Sequence, residues 1–401
     1  MTDKCTAFKV PLTELVSRKK RIQRELQAAG IPALLIIQRV DLFYFSGTSQ
    51  NSFLFMPAEG EPLLMVRKYY PRAREESFLP NIVQINSIRD MNDFIYDFYG
   101  SVPAVMGLEL DVLPVNSFLF YQQLFPGSRL MDGSGLILKV RSRKSAWEID
   151  QMEKTAELTM KVFLYMKQII SPGMSEVELA VEAEAFARRH GHAGKLRVRD
   201  FQTEGYFWHV LGGKSGGMVG LLDAPASGMG TSPAFPCGAG FRAIGKGEPV
   251  MADLATALNG FHLDETRMLA MEWMPESARR ASEAAIEIHN RLIERLAPGM
   301  RSDDLFDFSI KLARDLGYEE NYLGPPGHKV QFVAHGIGHE MIEPPFIAAG
   351  RKDIFEPGMT LALEPKFLFP GEFTAGIESV VLVTEDGSRL ISKAPVDIFI
   401  C

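Results

Sequence analysis

Cysteine is scarce in this chain. Cys5, Cys237 and Cys401 are the only three in 401 residues, odd in number and far apart, so they supply neither a disulfide framework nor a paired thiolate metal site. No run of about 18 apolar residues is present to cross a membrane, and the opening "MTDKCTAFKV" lacks the apolar stretch of a secretion signal. Positive charge is also short. The 43 Lys and Arg against 50 Asp and Glu leave a net charge of −7, which argues against a nucleic-acid partner. The one basic run, "SRKKRIQR" at 17–24, has the spacing of a helix's solvated side. These absences lead to the expectation of a cytoplasmic protein that engages neither membrane nor nucleic acid.

What remains is ordinary globular chemistry, 46% hydrophobic and 23% charged, on a chain long enough for two or three domains. Residues 12–30 read as an amphipathic helix stopped by Gly30. Strands are expected at "PALLIIQ" and "DLFYFSG", then a hairpin in "SFLFMPAEGEPLLMVRK" turning at Glu59-Gly60, then a strand in "AVMGLELD". This alternation describes an α/β domain over 1–143.

From 144 onward the pattern changes. Ser145 and Glu148 form a capping box that opens a long helix through Ile170. Further on, "SPGMSEVELAVEAEAFARRHG" at 171–191 and "APGMRSDDLFDFSIKLARDLG" at 297–317 share Pro-Gly-Met, an apolar helical stripe and a terminal glycine at an offset of 126. Each follows a long helix and precedes strand-rich sequence. Two matching helix-helix-sheet units predict a pseudo-twofold domain over 144–401, with any site between the halves drawing ligands from both.

Acids stand where apolar residues belong. In "PVMADLATALNGFHLDETRMLAM", Asn259-Gly260 is a strong hairpin signal. That turn sets Asp253 opposite Thr266, with Asp264 on the same face and roughly 8 Å away. The strand carrying Asp253 is apolar on both faces, hence buried. Two buried like charges repel, so either one carries a proton or a cation sits between them. The second half repeats the anomaly: Glu364 ends the apolar strand "MTLALEPKF", and Glu378 shares a face with Val380 and Leu382. With a histidine from "AHGIGHEMIEPP" at 334–345, the set is four carboxylates and an imidazole. Such a set suits Mn, Co, Fe or Zn in a two-metal site.

At these residues the chain resembles the creatinase/aminopeptidase P/prolidase family of pita-bread metallopeptidases, and the resemblance covers nearly the whole length. It implies an α/β (α+β) architecture, a creatinase-like N-terminal α/β domain followed by the pita-bread domain. The family's ligands, in the order Asp, Asp, His, Glu, Glu, fall on Asp253, Asp264, His335, Glu364 and Glu378, at separations of eleven, twenty-nine and fourteen for the Asp pair, the His to Glu step and the Glu pair. Two divalent ions and a homodimer follow from the resemblance, and Glu364 takes the family's proton-shuttle role.

The departures are as specific. Where active peptidases of the family carry a second, substrate-contacting histidine, this chain has Ile342, followed by Glu343; an isoleucine has no donor for a peptide carbonyl. The histidine expected before the first Asp is replaced within "SPAFPCGAG" by Cys237, and the arginine often found two residues before the last ligand is Gly376. His209 and His339 are the candidate replacements, and Ile342, Glu343 and Cys237 the candidate substrate contacts.

The leading expectation is thus a hydrolase of Xaa-Pro dipeptidase or aminopeptidase type, acting on a small peptide or amide, with two metals sharing a hydroxide between Asp264 and Glu378. Hydrolysis of a non-peptide C-N bond, as in creatinase, and a binding protein without turnover are the alternatives.

Overall fold

The computed structural model describes residues 8–199, 208–220 and 224–401. Its described residues divide into two compact units, one running up to Arg141 and the other from Ser142 to Cys401.

The first unit opens with helix α1 (Leu12–Ala29), which Gly30 ends in the left-handed conformation at φ 66. There follow β1 (Ala33–Ile36), α2 (Arg39–Ser46), β2 (Ser52–Pro57), β3 (Leu63–Val66), α3 (Tyr70–Glu76), β4 (Asn81–Gln84), α4 (Met91–Tyr99), β5 (Val105–Leu108), α5 (Val115–Leu124), β6 (Arg129–Asp132) and α6 (Ser134–Ser142). The six strands form one sheet in the order β4-β3-β2-β1-β5-β6, its β2–β3 hairpin turning where expected. One expectation fails here: residues 41–46 are helical, within α2. The Gln38 side chain accepts from the backbone N–H groups of Val40 and Asp41, and Gly47 closes the far end at φ 78, so both caps of a short helix are in place. Local capping outweighs the β propensity of the aromatic run.

The second unit begins with α7 (Ala146–Ile169), whose N-terminus carries the predicted capping box: Glu148 accepts from the Ser145 N–H and Ser145 from the Glu148 N–H. Next come α8 (Glu176–Arg189), β7 (His209–Gly212), β8 (Val250–Leu258), β9 (Phe261–Ala270), α9 (Glu276–Arg295), α10 (Ser302–Asp315), β10 (Phe332–Gly336), β11 (Glu343–Ala348), β12 (Thr360–Leu363), β13 (Lys366–Phe369), β14 (Phe373–Gly376), β15 (Ser379–Val383), β16 (Ser388–Leu390) and β17 (Phe399–Ile400). Helices α8 and α10 have 14 residues each, and their starts at 176 and 302 lie 126 apart, as the repeat requires.

Each half has its own sheet, β17-β9-β8-β7 in the first and β11-β10-β12-β15-β16 in the second, with β13–β14 as a separate ribbon. Val162 and Phe163 of α7 and Leu179 of α8 pack on Ala252 and Leu254 of β8. In the other half, Ile288, Leu292 and Phe306 pack on Leu361, Leu363 and Val381. Side chains alternate along a strand, so the residues between these apolar contacts point to the opposite faces. Asp253 is such a residue, and Glu378 lies one residue before β15. The halves join where Thr266 and Glu378 exchange backbone hydrogen bonds, at 3.3 Å and 3.1 Å. No described helix is long and apolar enough to cross a membrane.

Candidate metal centre

Asn259 and Gly260 adopt positive φ, 55 and 86, the conformation a tight two-residue hairpin requires. The turn fixes the register, so Asp253 pairs with Thr266 and Ala255 with Asp264. β7 adds His209 directly beside Asp253, its Nδ1 4.0 Å from Oδ2. Of the aromatic stretch "GYFWHV" at 205–210, only Trp208 onward lies among the described residues. From the second half, His335 comes from β10, Glu364 follows β12 and Glu378 precedes β15. Asp264, His335 and Glu378 bring their ligand atoms within 4.8 Å of one another, and all three are buried. The His335 Nδ1 lies 3.1 Å from the Gly336 carbonyl, which can only accept, so in the neutral ring the proton sits on Nδ1 and the lone pair on Nε2. That nitrogen faces Glu364 Oε1 at 3.7 Å and Glu378 Oε1 at 4.0 Å.

A sixth residue, not foreseen from the sequence, lies among these five. Lys366 opens β13 with its side chain buried, and its Nζ donates to Glu364 Oε2 at 2.8 Å, Asp253 Oδ2 at 2.9 Å and Glu378 Oε2 at 3.1 Å. Glu378 Oε2 also accepts from the Thr266 hydroxyl at 2.8 Å. Lysine in an apolar strand two residues after Glu364 was as anomalous as the acids, and it was the signal available. The cluster therefore has two sides that share Glu378: an ammonium side with Asp253 and Glu364, and a side with Asp264 and His335.

The charges follow this division. Burial raises Asp264 well above the usual carboxylate range, and neighbouring Glu378 and Asp253 add to the rise. Burial likewise lifts Glu378, to about 8, against the pull of Lys366. Burial would raise Asp253 too, but Lys366 and His209 outweigh it and bring that carboxyl below its ordinary value. For Lys366, burial favours the neutral amine, yet Asp253, Glu364 and Glu378 hold the proton on. Desolvation lowers His209 despite Asp253.

The remaining candidates lie elsewhere. His339 sits at the tip of the β8–β9 hairpin: Nδ1 donates to the Gly260 carbonyl at 3.1 Å, Nε2 faces Glu148 of α7 at 3.7 Å, and the ring packs on Phe261. Both ring nitrogens are turned to these groups. Glu343 is tied at 2.8 Å to the buried ammonium of Lys144 in an internal ion pair. Cys237 is half-buried in a loop where the Gly230 N–H donates to the Gly238 carbonyl. Ile342 joins an apolar group with Leu196, Ala255, Ala257 and Met341, on the β8 face that carries Asp253.

Known proteins resemble this chain over nearly its whole length. Residues 150–385 match metallopeptidase family M24, and residues 18–143 match the creatinase/prolidase N-terminal domain. A Xaa-Pro dipeptidase of Pyrococcus furiosus is 24% identical over 94% of this chain and 97% of its own. Among solved structures, a Xaa-Pro dipeptidase from Bacillus anthracis superposes with a TM-score of 0.82 at 22% identity, over 96% of this chain and all of that one (100%). An X-Pro aminopeptidase from Thermotoga maritima reaches 0.79 at 20% identity, over 94% and 100%.

Proposed function

The chain belongs to metallopeptidase family M24, and from that premise we propose that it hydrolyses a peptide or amide bond at the cluster of Asp253, Asp264, His335, Glu364 and Glu378, on a Xaa-Pro dipeptide or a small amide of similar shape. One observation carries this reading: residues from both halves of the repeat converge on a buried group in which a lone-paired His335 Nε2 stands beside Asp264 and Glu378. Two hard oxygens and an imidazole nitrogen fit one divalent ion of the Mn, Co, Fe or Zn class. Such an ion, when bound, supplies a water acidic enough to attack at neutral pH.

The chain's own residues do the rest. Glu364 Oε2 is fixed by Lys366, which leaves Oε1, on the His335 side, to take the proton of the attacking water. Glu364 then hands that proton to the leaving nitrogen, and His209, beside Asp253, is the imidazole placed to hydrogen-bond the substrate there. Ile342 and Met341 form an apolar wall on the same strand face, which suits a ring or aliphatic group and offers no hydrogen bond. That wall favours a second reading, hydrolysis of a non-peptide C-N bond in a small molecule. The test is a panel of Xaa-Pro dipeptides and small cyclic and linear amides, run with Mn added and with metal removed. Folded protein that cleaves none of them under either condition sinks the proposal.

A further inference from the structure

The expected second ion does not fit the residues present. Lys366 Nζ has three N–H donors, and three carboxylates from three different segments take one each, so the ammonium is fully coordinated where it stands. A divalent ion drawing on the same oxygens would need to approach them to about 2.0–2.2 Å. It would then meet the ammonium at close range, with like-charge repulsion in a site screened from water. The surroundings are shaped to hold the lysine. Lys366 pairs with Gly376 across the β13–β14 ribbon, and a β-carbon on Gly376 would come within 2.5 Å of Lys366 Cγ and 3.2 Å of its Cβ. The residue where the family often has arginine is thus bare, and the lysine stem lies over it.

We propose that the Lys366 ammonium is the resident cation on the Asp253 and Glu364 side of the centre, so that the chain takes at most one divalent ion, on the side of Asp264, His335 and Glu378. A covalently attached charge does the electrostatic work of one metal. It neutralises the acids but has no open position for water, so it replaces the ion's charge and not its Lewis acidity. This inference rests on the hydrolase reading only for the location of the centre.

The test is metal stoichiometry. Purified, metal-stripped protein is dialysed against saturating Mn and the bound ion counted per chain, for the unmodified protein and for Lys366→Ala. The expected result is no more than one ion in the unmodified protein and one more than that in Lys366→Ala. Two ions in the unmodified protein would overturn the proposal, and so would a folded Lys366→Ala with an unchanged count. If that variant does not fold, the unmodified count alone decides. Amide cleavage is scored separately: two ions with cleavage refutes this inference and keeps the function, whereas one ion without cleavage does the reverse.

Discussion

Gly376 lies directly across the ribbon from Lys366, and the absence of a side chain at 376 is what lets the lysine stem reach the carboxylates. The relationship is steric at one residue and electrostatic at the other. Gly376→Ala should therefore push the stem aside at its Cγ, which cannot yield as a chain end would, and cost roughly 1–3 kcal/mol by overpacking. Urea unfolding measures it. A variant as stable as the parent would mean that the stem has room the structure does not show.

Lys366→Met keeps the stem's bulk and removes the charge. Asp253, Glu364 and Glu378 would then face one another uncompensated, and loss of one partner from a buried ionic group costs about 3–5 kcal/mol. The loss should be largest in metal-free buffer and partly reversed by millimolar Mn, read as a shift in melting temperature. No destabilisation without metal would count against the ammonium as a needed counter-charge.

Asp264→Ala and Glu343→Ala separate metal binding from internal pairing. The first should lose bound ion with little need of Glu343. The second should keep the ion but leave Lys144 buried without that partner, at a cost of about 3 kcal/mol. Unchanged metal content in Asp264→Ala would remove that residue from the ligand set.

Two histidines that look equivalent in the sequence should differ in kinetics. His209→Ala should lower kcat/KM for the best amide substrate by about a hundredfold, the typical scale for one lost hydrogen bond to developing charge. His339→Ala should chiefly loosen the hairpin tip and leave kcat/KM near the parent value. Equal losses in both, or none in His209→Ala, would contradict these placements.

His289, buried in α9, gives an acid-stability prediction away from the centre. Burial pushes its imidazole down to about 4, while in the unfolded chain it titrates near its ordinary value of 6.5. Between those values the unfolded chain binds more protons, so stability falls as pH drops from about 6.5 to about 4. His289→Leu should flatten this fall by up to about 3 kcal/mol. A parent and variant with parallel stability curves across that window would refute the assignment.

The legible parts of this molecule were those written in short-range chemistry. The capping box at Ser145, the Asn259-Gly260 hairpin and the offset between α8 and α10 follow from local residues and were readable. The register then placed Asp253 opposite Thr266. Residues 41–47 read as a strand because the consecutive aromatics Phe43, Tyr44 and Phe45 favour one, while the deciding cap, Gln38, lies outside the run. Lys366 is illegible for a different reason. The anomaly of four buried acids allows two remedies, a proton or a cation, and nothing in the local pattern tells whether a lysine two residues from Glu364 turns inward to supply it. His339 could not be separated from His209, because that depends on which strand end each reaches.

Thr266 and Glu378 are 112 residues apart, yet their backbones and side chains meet at the seam of the two halves. No segment ending before β10 contains His335, and none beginning after β9 contains either aspartate. The centre is therefore a product of assembly, and in a refolding chain it comes into being only after the two halves have found each other. Metal uptake followed by stopped flow should lag behind the recovery of helical signal, which makes the bound ion a clock for the last step of folding.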